Sequence, residues 1–205
     1  MKFLTVTLIV LTLLSCSTPP KTYQESIQQF QYKLNTQFAD RNESPLTNED
    51  FKTFKSLDFF NIDENYKVNA SITHTPNAPI FEMPTTTERA PLYKKYGIAK
   101  FELNGTTLEL SIYQNHDLNL TPNNNYLFLP FNDKTNSTSS YSGGRYIDLE
   151  IPKNNNNKII IDFNKSYNPY CAYNHKFSCP IPPSENILPI EILAGVKDFH
   201  KPQNK

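Results

Sequence analysis

The pair Asn104-Gly105 is the feature that most restricts how this chain can fold. Both residue types tolerate positive φ, so between two alternating runs they specify a two-residue type I′ hairpin turn. Before the turn Ile98, Lys100, Glu102 and Asn104 alternate with Ala99, Phe101 and Leu103; after it Leu108, Leu110 and Ile112 share one face of Thr106 to Tyr113. Side chains on a strand alternate between faces, so the two runs present one apolar face together. Weaker copies of this signal recur. Tyr66 to Thr73 alternates, and Tyr126 to Phe131 is a short aromatic-rich run. Arg145 to Ile151 and Lys158 to Phe163 flank the tract Asn154 to Asn157 and predict a second hairpin. Ile187 to Leu193 reads as a last strand, placed at a sheet edge by Pro189. About seven short strands at this spacing predict a mainly β domain: an antiparallel sheet, sandwich or small barrel. Residues 74–95, rich in Pro and Thr, read as a long ordered loop.

Helical periodicity is confined to the N-terminal part. Tyr23, Ile27, Phe30, Leu34 and Phe38 recur at helical spacing, and Thr22 with Glu25 fits a capping box. Thr47 to Phe54 predicts a shorter helix with Thr47 as N-cap. One or two N-terminal helices packed on the sheet complete the expected fold. No Gly-rich phosphate loop, β-α-β alternation or internal repeat is present.

The first residues have a different purpose. Lys2 precedes the apolar run Phe3 to Leu14, which Thr5, Thr7 and Thr12 interrupt, as in a secretory signal. A spanning helix needs roughly 20 apolar residues, more than this run supplies. Leu13-Leu14-Ser15-Cys16 resembles the bacterial lipobox. That resemblance implies cleavage before Cys16 and lipidation of its thiol, with acyl chains such as palmitate holding the protein at a membrane. Ser17 follows where Asp would mark inner-membrane retention in some bacteria, so the expected address is the periplasmic face of the outer membrane. The expected layout is a signal peptide over 1–15, a tether over 16–21 and a single domain over 22–200, helical over 22–55 and mainly β over 66–195. With 20 basic and 20 acidic residues, nothing favours a nucleic-acid partner. The lipid anchor is the one partner predicted, and no cofactor is.

Residues with chemistry concentrate in the C-terminal half. Leu129-Pro130-Phe131-Asn132-Asp133 is followed by Gly143-Gly144-Arg145-Tyr146, Asp162-Phe163-Asn164, Tyr167-Asn168-Pro169-Tyr170-Cys171-Ala172-Tyr173, and Cys179-Pro180-Ile181-Pro182-Pro183 running on to Glu185-Asn186. Read together, these segments resemble the bacterial family known as domain of unknown function 1684. Its members carry a Pro-Phe-x-Asp segment, a Gly-Gly-Arg-Tyr turn, an Asp-Phe-Asn strand end, and then Tyr-Asn-Pro-x-Cys-Ala-Tyr and Cys-Pro-x-Pro-Pro-x-Glu-Asn in that order. The likeness covers most of residues 50–197 and suggests that Arg89 belongs to a Thr-Thr-x-x-Arg segment of the same domain. It implies no activity.

Three constellations follow. Cys171 and Cys179 enclose seven residues in an exported chain, which favours a disulfide worth about 2.5 kcal/mol. The alternatives are a metal site completed by His175 with His200 or a carboxylate, a Cys171 nucleophile activated by His175, and a pair of unbridged structural thiols. The disulfide is preferred, with no metal site assigned. Gly143, Gly144 and Arg145 can present backbone N–H groups and a guanidinium fork to an anion. Against that stands internal pairing of Arg145 with Asp148 or Asp133, the preferred alternative. Asp133, Asp162, Asn164, Asn168, Glu185 and Asn186 fall at strand ends or turns, where each is better read as a turn cap than as an acid–base group. His74, His116 and His200 have no motif around them.

The function expected is an uncharacterised envelope lipoprotein that binds a ligand or partner through Gly143, Gly144, Arg145, Tyr167, Asn168 and Tyr173. The alternative is an envelope enzyme, hydrolytic in kind, using Asp133, Arg145, Asp162 and Glu185. A purely structural role is a third.

Overall fold

The computed structural model describes residues 22–116, 125–153 and 157–199. Cys16, the expected signal peptide and tether, and His200 therefore lie outside the described residues. Helices α1 (Tyr23–Ala39) and α2 (Asn48–Thr53) precede strands β1 (Lys67–His74), β2 (Ile80–Glu82), β3 (Leu92–Leu103), β4 (Thr106–Asn115), β5 (Tyr126–Phe131), β6 (Arg145–Glu150) and β7 (Lys158–Asp162). The strands form one antiparallel half-barrel sheet in the order β6-β5-β4-β3-β1-β7, with β2 on the outer part of β3.

The central hairpin forms as its turn requires. Leu103 pairs with Thr106, while Asn104 and Gly105 take φ of +50° and +73°. Ala99, Phe101, Leu103, Leu108, Leu110 and Ile112 point into a core shared with Val68, Ala70 and Ile72 of β1 and with Leu127, Leu129 and Phe131 of β5. Strand β5 is buried on both faces, because Phe128 packs outward with Met83, Tyr93, Tyr113 and Tyr146 in a second, aromatic cluster. Double-sided burial explains why its sequence is apolar throughout rather than alternating.

Three expectations need correction. First, β6 and β7 do not form a hairpin: β6 pairs with β5 and β7 with β1, at opposite ends of the sheet order. The sheet curls so that these edge strands come into contact without a shared ladder. Second, Ile187 to Leu193 is not a strand. Its backbone is held instead by the loop after β5: Leu188 N–H donates to Asn132 O at 2.8 Å and Ile192 N–H to Asp133 Oδ1 at 3.2 Å. Pro189 has no N–H to give a ladder. Third, residues 74–95 contain β2, and β3 already begins at Leu92.

The sheet also splits between β4 and β5, which share one paired position, Tyr113 with Phe128. The buried side chain of Asn186 spans the split. Its Nδ2 donates to Ser111 O (2.8 Å) and Pro130 O (2.7 Å), and its Oδ1 accepts from Ser111 N–H at 2.7 Å. A primary amide has the donors and acceptor of a peptide group, so it substitutes for the missing ladder.

Helix α1 carries the expected capping box between Thr22 and Glu25. It docks on the turn after β7, where Tyr23 donates to Asp162 at 2.9 Å, and on Tyr173, which meets Phe38 edge-on. Among the described residues no helix is long and apolar enough to cross a membrane.

Candidate functional site

Arg145 opens β6 and is wholly buried. Its Nη2 donates to Asp133 Oδ2 and Ile192 O, both at 2.8 Å, and its Nη1 donates to Ala194 O at 2.5 Å. The guanidinium lies between the rings of Phe60 and Phe131. Burial drags its pKa down, and the Asp133 carboxylate opposes that. Asp133 in turn accepts from Thr135 N–H, Thr135 Oγ1 and Ile192 N–H. The internal pairing with Asp133 is thus the one realised; Nε has no partner, but the whole side chain is buried and reaches no surface where a ligand could meet it. The glycines serve the same knot. Gly144 sits at φ +86°, and a Cβ there would lie 2.7 Å from Asn132 Oδ1, Phe131 O and Pro182 Cγ. Its N–H donates to Tyr141 O at 3.2 Å, inside the loop.

The other carboxylates go separate ways. Asp162 caps the turn Phe163–Lys165, accepting from Tyr23 Oη and from Asn164 N–H. Glu185 accepts from Tyr113 Oη at 2.7 Å and pairs with Lys95 at 3.1 Å. Burial tends to raise its pKa, but the Tyr113 hydroxyl and Lys95 outweigh this and hold it below the usual range. Asp133, Asp162 and Glu185 therefore have three different partners. Asn168 and Tyr173 are buried, the former donating to Lys197 O. Of the predicted ligand-binding residues, Tyr167 alone lines a substantial cleft.

That cleft has a volume of about 710 Å³, within the ordinary range for small-molecule sites. Eight aromatic side chains line it: Phe30 of α1, Tyr93 of β3, Tyr126 and Phe128 of β5, Tyr146 of β6, and Tyr167, Tyr170 and Phe177 beyond β7. At one place Asp148 Oδ1 accepts from Tyr126 Oη (2.8 Å) and Tyr167 Oη (2.6 Å). Burial and, after it, the neighbouring Asp148 raise both phenols well above their usual range, so they stay proton donors. The Tyr146 hydroxyl donates to Pro180 O. Gln37 Nε2 donates to Tyr170 Oη at 2.7 Å.

Arg89 and Lys33 also line the cleft. Arg89 is held by Ser178, with Nε donating to Oγ and Nη2 to the carbonyl, each at 3.2 Å. Ser178 Oγ is itself fixed by Thr85 Oγ1 (2.9 Å) and Thr87 Oγ1 (2.6 Å), and the segment is stitched down by Thr86 N–H on Cys179 O. Among the described residues no carboxylate pairs with Arg89 or Lys33.

Cys179 also borders the cleft. The preferred disulfide is absent: Cys171 and Cys179 are free, buried thiols. They lie side by side instead, Cys171 N–H donating to Cys179 Sγ at 3.1 Å and Tyr141 Oη meeting Cys171 Sγ at 3.8 Å. A hydrogen bond from Cys179 lowers the Cys171 pKa, burial opposes it and a bond from Tyr141 adds to it; Cys179, the donor, is pushed up. His175 is exposed, and among the described residues no His, Cys, Asp and Glu cluster could hold a metal.

Sequence reasoning missed Phe30, Lys33, Tyr126, Asp148 and Phe177. A signal did exist in the aromatic density of 126–131 and 167–177, but assigning it to one cleft needs the fold.

A family model described as protein of unknown function, DUF1684, matches residues 52–197. That segment holds the whole sheet and Arg89, while α1, which brings Phe30 and Lys33 to the cleft, precedes it. The solution NMR structure of an uncharacterised protein from Haloarcula marismortui is similar, with 31% identity and a TM-score of 0.67. The alignment covers 84% of this chain and 92% of that one. No curated protein matches significantly.

Proposed function

The chain belongs to the DUF1684 family, and from that premise we propose that it is a membrane-anchored binding protein whose aromatic cleft takes a small organic ligand. The observation that carries this reading is the cleft: eight aromatic side chains from five parts of the chain surround about 710 Å³. Aromatic faces left around an open volume give a flat ligand large contact area at low entropic cost. The Leu13-Leu14-Ser15-Cys16 segment supports lipid anchoring in the envelope, with outer-membrane placement read from Ser17. An enzyme built on Asp133, Arg145, Asp162 and Glu185 draws no support from their geometry, because Asp133 and Arg145 are paired with each other while Asp162 is held by Tyr23 and Glu185 by Tyr113.

The test uses the uncharged dye N-phenyl-1-naphthylamine, whose fluorescence rises in apolar sites. Phe30→Ala and Phe177→Ala are each expected to weaken its binding about fivefold, the loss of one aromatic contact. A dye that fails to bind, or that binds both variants as well as the parent, removes the cleft reading. For the anchor, Cys16→Ala is expected to move the protein from the membrane fraction to the soluble one; a variant that stays with membranes refutes it.

A further inference from the structure

We propose that the cleft selects a planar aromatic molecule bearing an anionic group, a carboxylate or a phosphate, with Arg89 and Lys33 reading the charge. This rests on the cleft-binding reading above and adds the chemistry of the ligand.

The charge argument turns on which ionic groups are already satisfied. Asp148 is the acid of the cleft, and two phenol hydroxyls already donate to it. The two cations differ from it. The Arg89 guanidinium donates to neutral oxygens of Ser178, and among the described residues neither Arg89 nor Lys33 has a carboxylate within ion-pair distance. The cleft wall thus carries two positive charges against one negative. Arg89 is also positioned before any ligand arrives, since Thr85, Thr87 and Ser178 lock the segment that presents it. A guanidinium fork fixed in advance loses little freedom on meeting a carboxylate or phosphate, so more of the interaction appears as affinity.

The remaining lining argues for a ring over other anions. The one aliphatic residue of the cleft besides its prolines is Leu34, whereas aromatic side chains dominate, so flat faces are favoured over an acyl chain. Sugars are disfavoured for another reason: the hydroxyls of Tyr126, Tyr146 and Tyr167 are already donated within the protein.

Isothermal titration calorimetry on the purified chain can decide. The probes are naphthalene-2-carboxylate, 2-naphthyl phosphate, naphthalene-2-methanol and decanoate. At least one of the two aromatic anions is expected to bind about tenfold tighter than the alcohol, the range of a charge-assisted hydrogen bond, and tighter than decanoate. Comparing the two anions identifies which group the site takes. In the Lys33→Gln/Arg89→Gln double variant the preferred anion should bind no tighter than the alcohol. Raising the salt should erode the same preference in the parent. If the alcohol matches both anions, or the preference survives in a folded double variant, the inference falls while the cleft reading stands. Decanoate binding as tightly as the aromatic anions overturns the aromatic part. If no probe binds, the alcohol included, the cleft reading falls as well.

Discussion

Arg145 and Arg89 occupy opposite conditions in one small domain. Arg145 has no exposed surface; it bonds a carboxylate and main-chain carbonyls of the C-terminal segment and lies between two phenyl rings. Arg89 is exposed, rests on a serine, and meets no carboxylate among the described residues. A buried guanidinium needs partners within the protein because removing it from water is costly, and without exposed surface it cannot meet a ligand. An exposed one keeps its charge for a partner. The contrast teaches that an arginine in a glycine-rich turn marks a site only if its fold leaves it unpaired.

Breaking the first member of that pair should have the largest effect. Arg145→Ala leaves Asp133 buried without its cation and the Ile192 carbonyl without a donor, and Ala194 O keeps only the bond from Ser166 Oγ at 3.3 Å. A destabilisation of about 3–5 kcal/mol is expected from urea unfolding. A loss below about 1 kcal/mol, the level of a surface ion pair, would mean that the knot does not hold the C-terminal segment.

Gly144→Ala comes next. Its φ is +86°, and three atoms lie 2.7 Å from the point where the new methyl group would sit, so a side chain has no room. Strain of about 1–3 kcal/mol is expected in the same unfolding experiment. Dye binding by the folded fraction should be unchanged, because Gly144 does not line the cleft. If binding fails while stability holds, the glycines belong with the ligand after all.

The strand periods and the Asn104-Gly105 turn were legible in the sequence because local chemistry determines them: alternation sets the face and positive φ sets the turn. Pairing between distant strands was not. Arg145–Ile151 and Lys158–Phe163 are adjacent in sequence across an Asn tract, yet β6 and β7 pair with different strands of a curled sheet. Ile187–Leu193 is apolar like a strand because Leu188 and Ile192 fill the core, but its backbone groups are taken by Asn132 and Asp133. For the site, residue type pointed to Arg145 and the carboxylates, and only burial and partners could show that they are spoken for. The cleft itself combines α1 with segments more than fifty residues away. No local pattern encodes that meeting.

The cysteine pair sharpens the comparison from the cleft side, since Cys179 borders the cleft and Cys171 lies behind it. In the folded protein a hydrogen bond from Cys179 lowers the Cys171 pKa against the opposing effect of burial, while that of Cys179 is raised. From the lowered Cys171 pKa up to about 9 the unfolded chain therefore binds the extra proton, and stability should rise with pH. Above 9 the unfolded chain ionises both thiols while the folded one retains a proton, so stability should fall. Unfolding midpoints measured across this range, and thiolate absorbance showing one ionisation rather than two, check the assignment. Two thiolates forming together near pH 9 would refute the coupling.

The smallest effect is the most telling. Arg89→Gln removes two bonds to neutral oxygens of Ser178, but Thr85 Oγ1 still donates to the main-chain oxygen of residue 89 and still holds Ser178 Oγ. An exposed side chain replaced in this way should change stability by less than about 0.5 kcal/mol. A loss comparable to that of Arg145→Ala would erase the distinction between the two arginines and make Arg89 a second structural tie. A near-zero change in the same urea titration means that the Thr85–Ser178 network holds the loop without the guanidinium, which leaves the charge of Arg89 without a folding role.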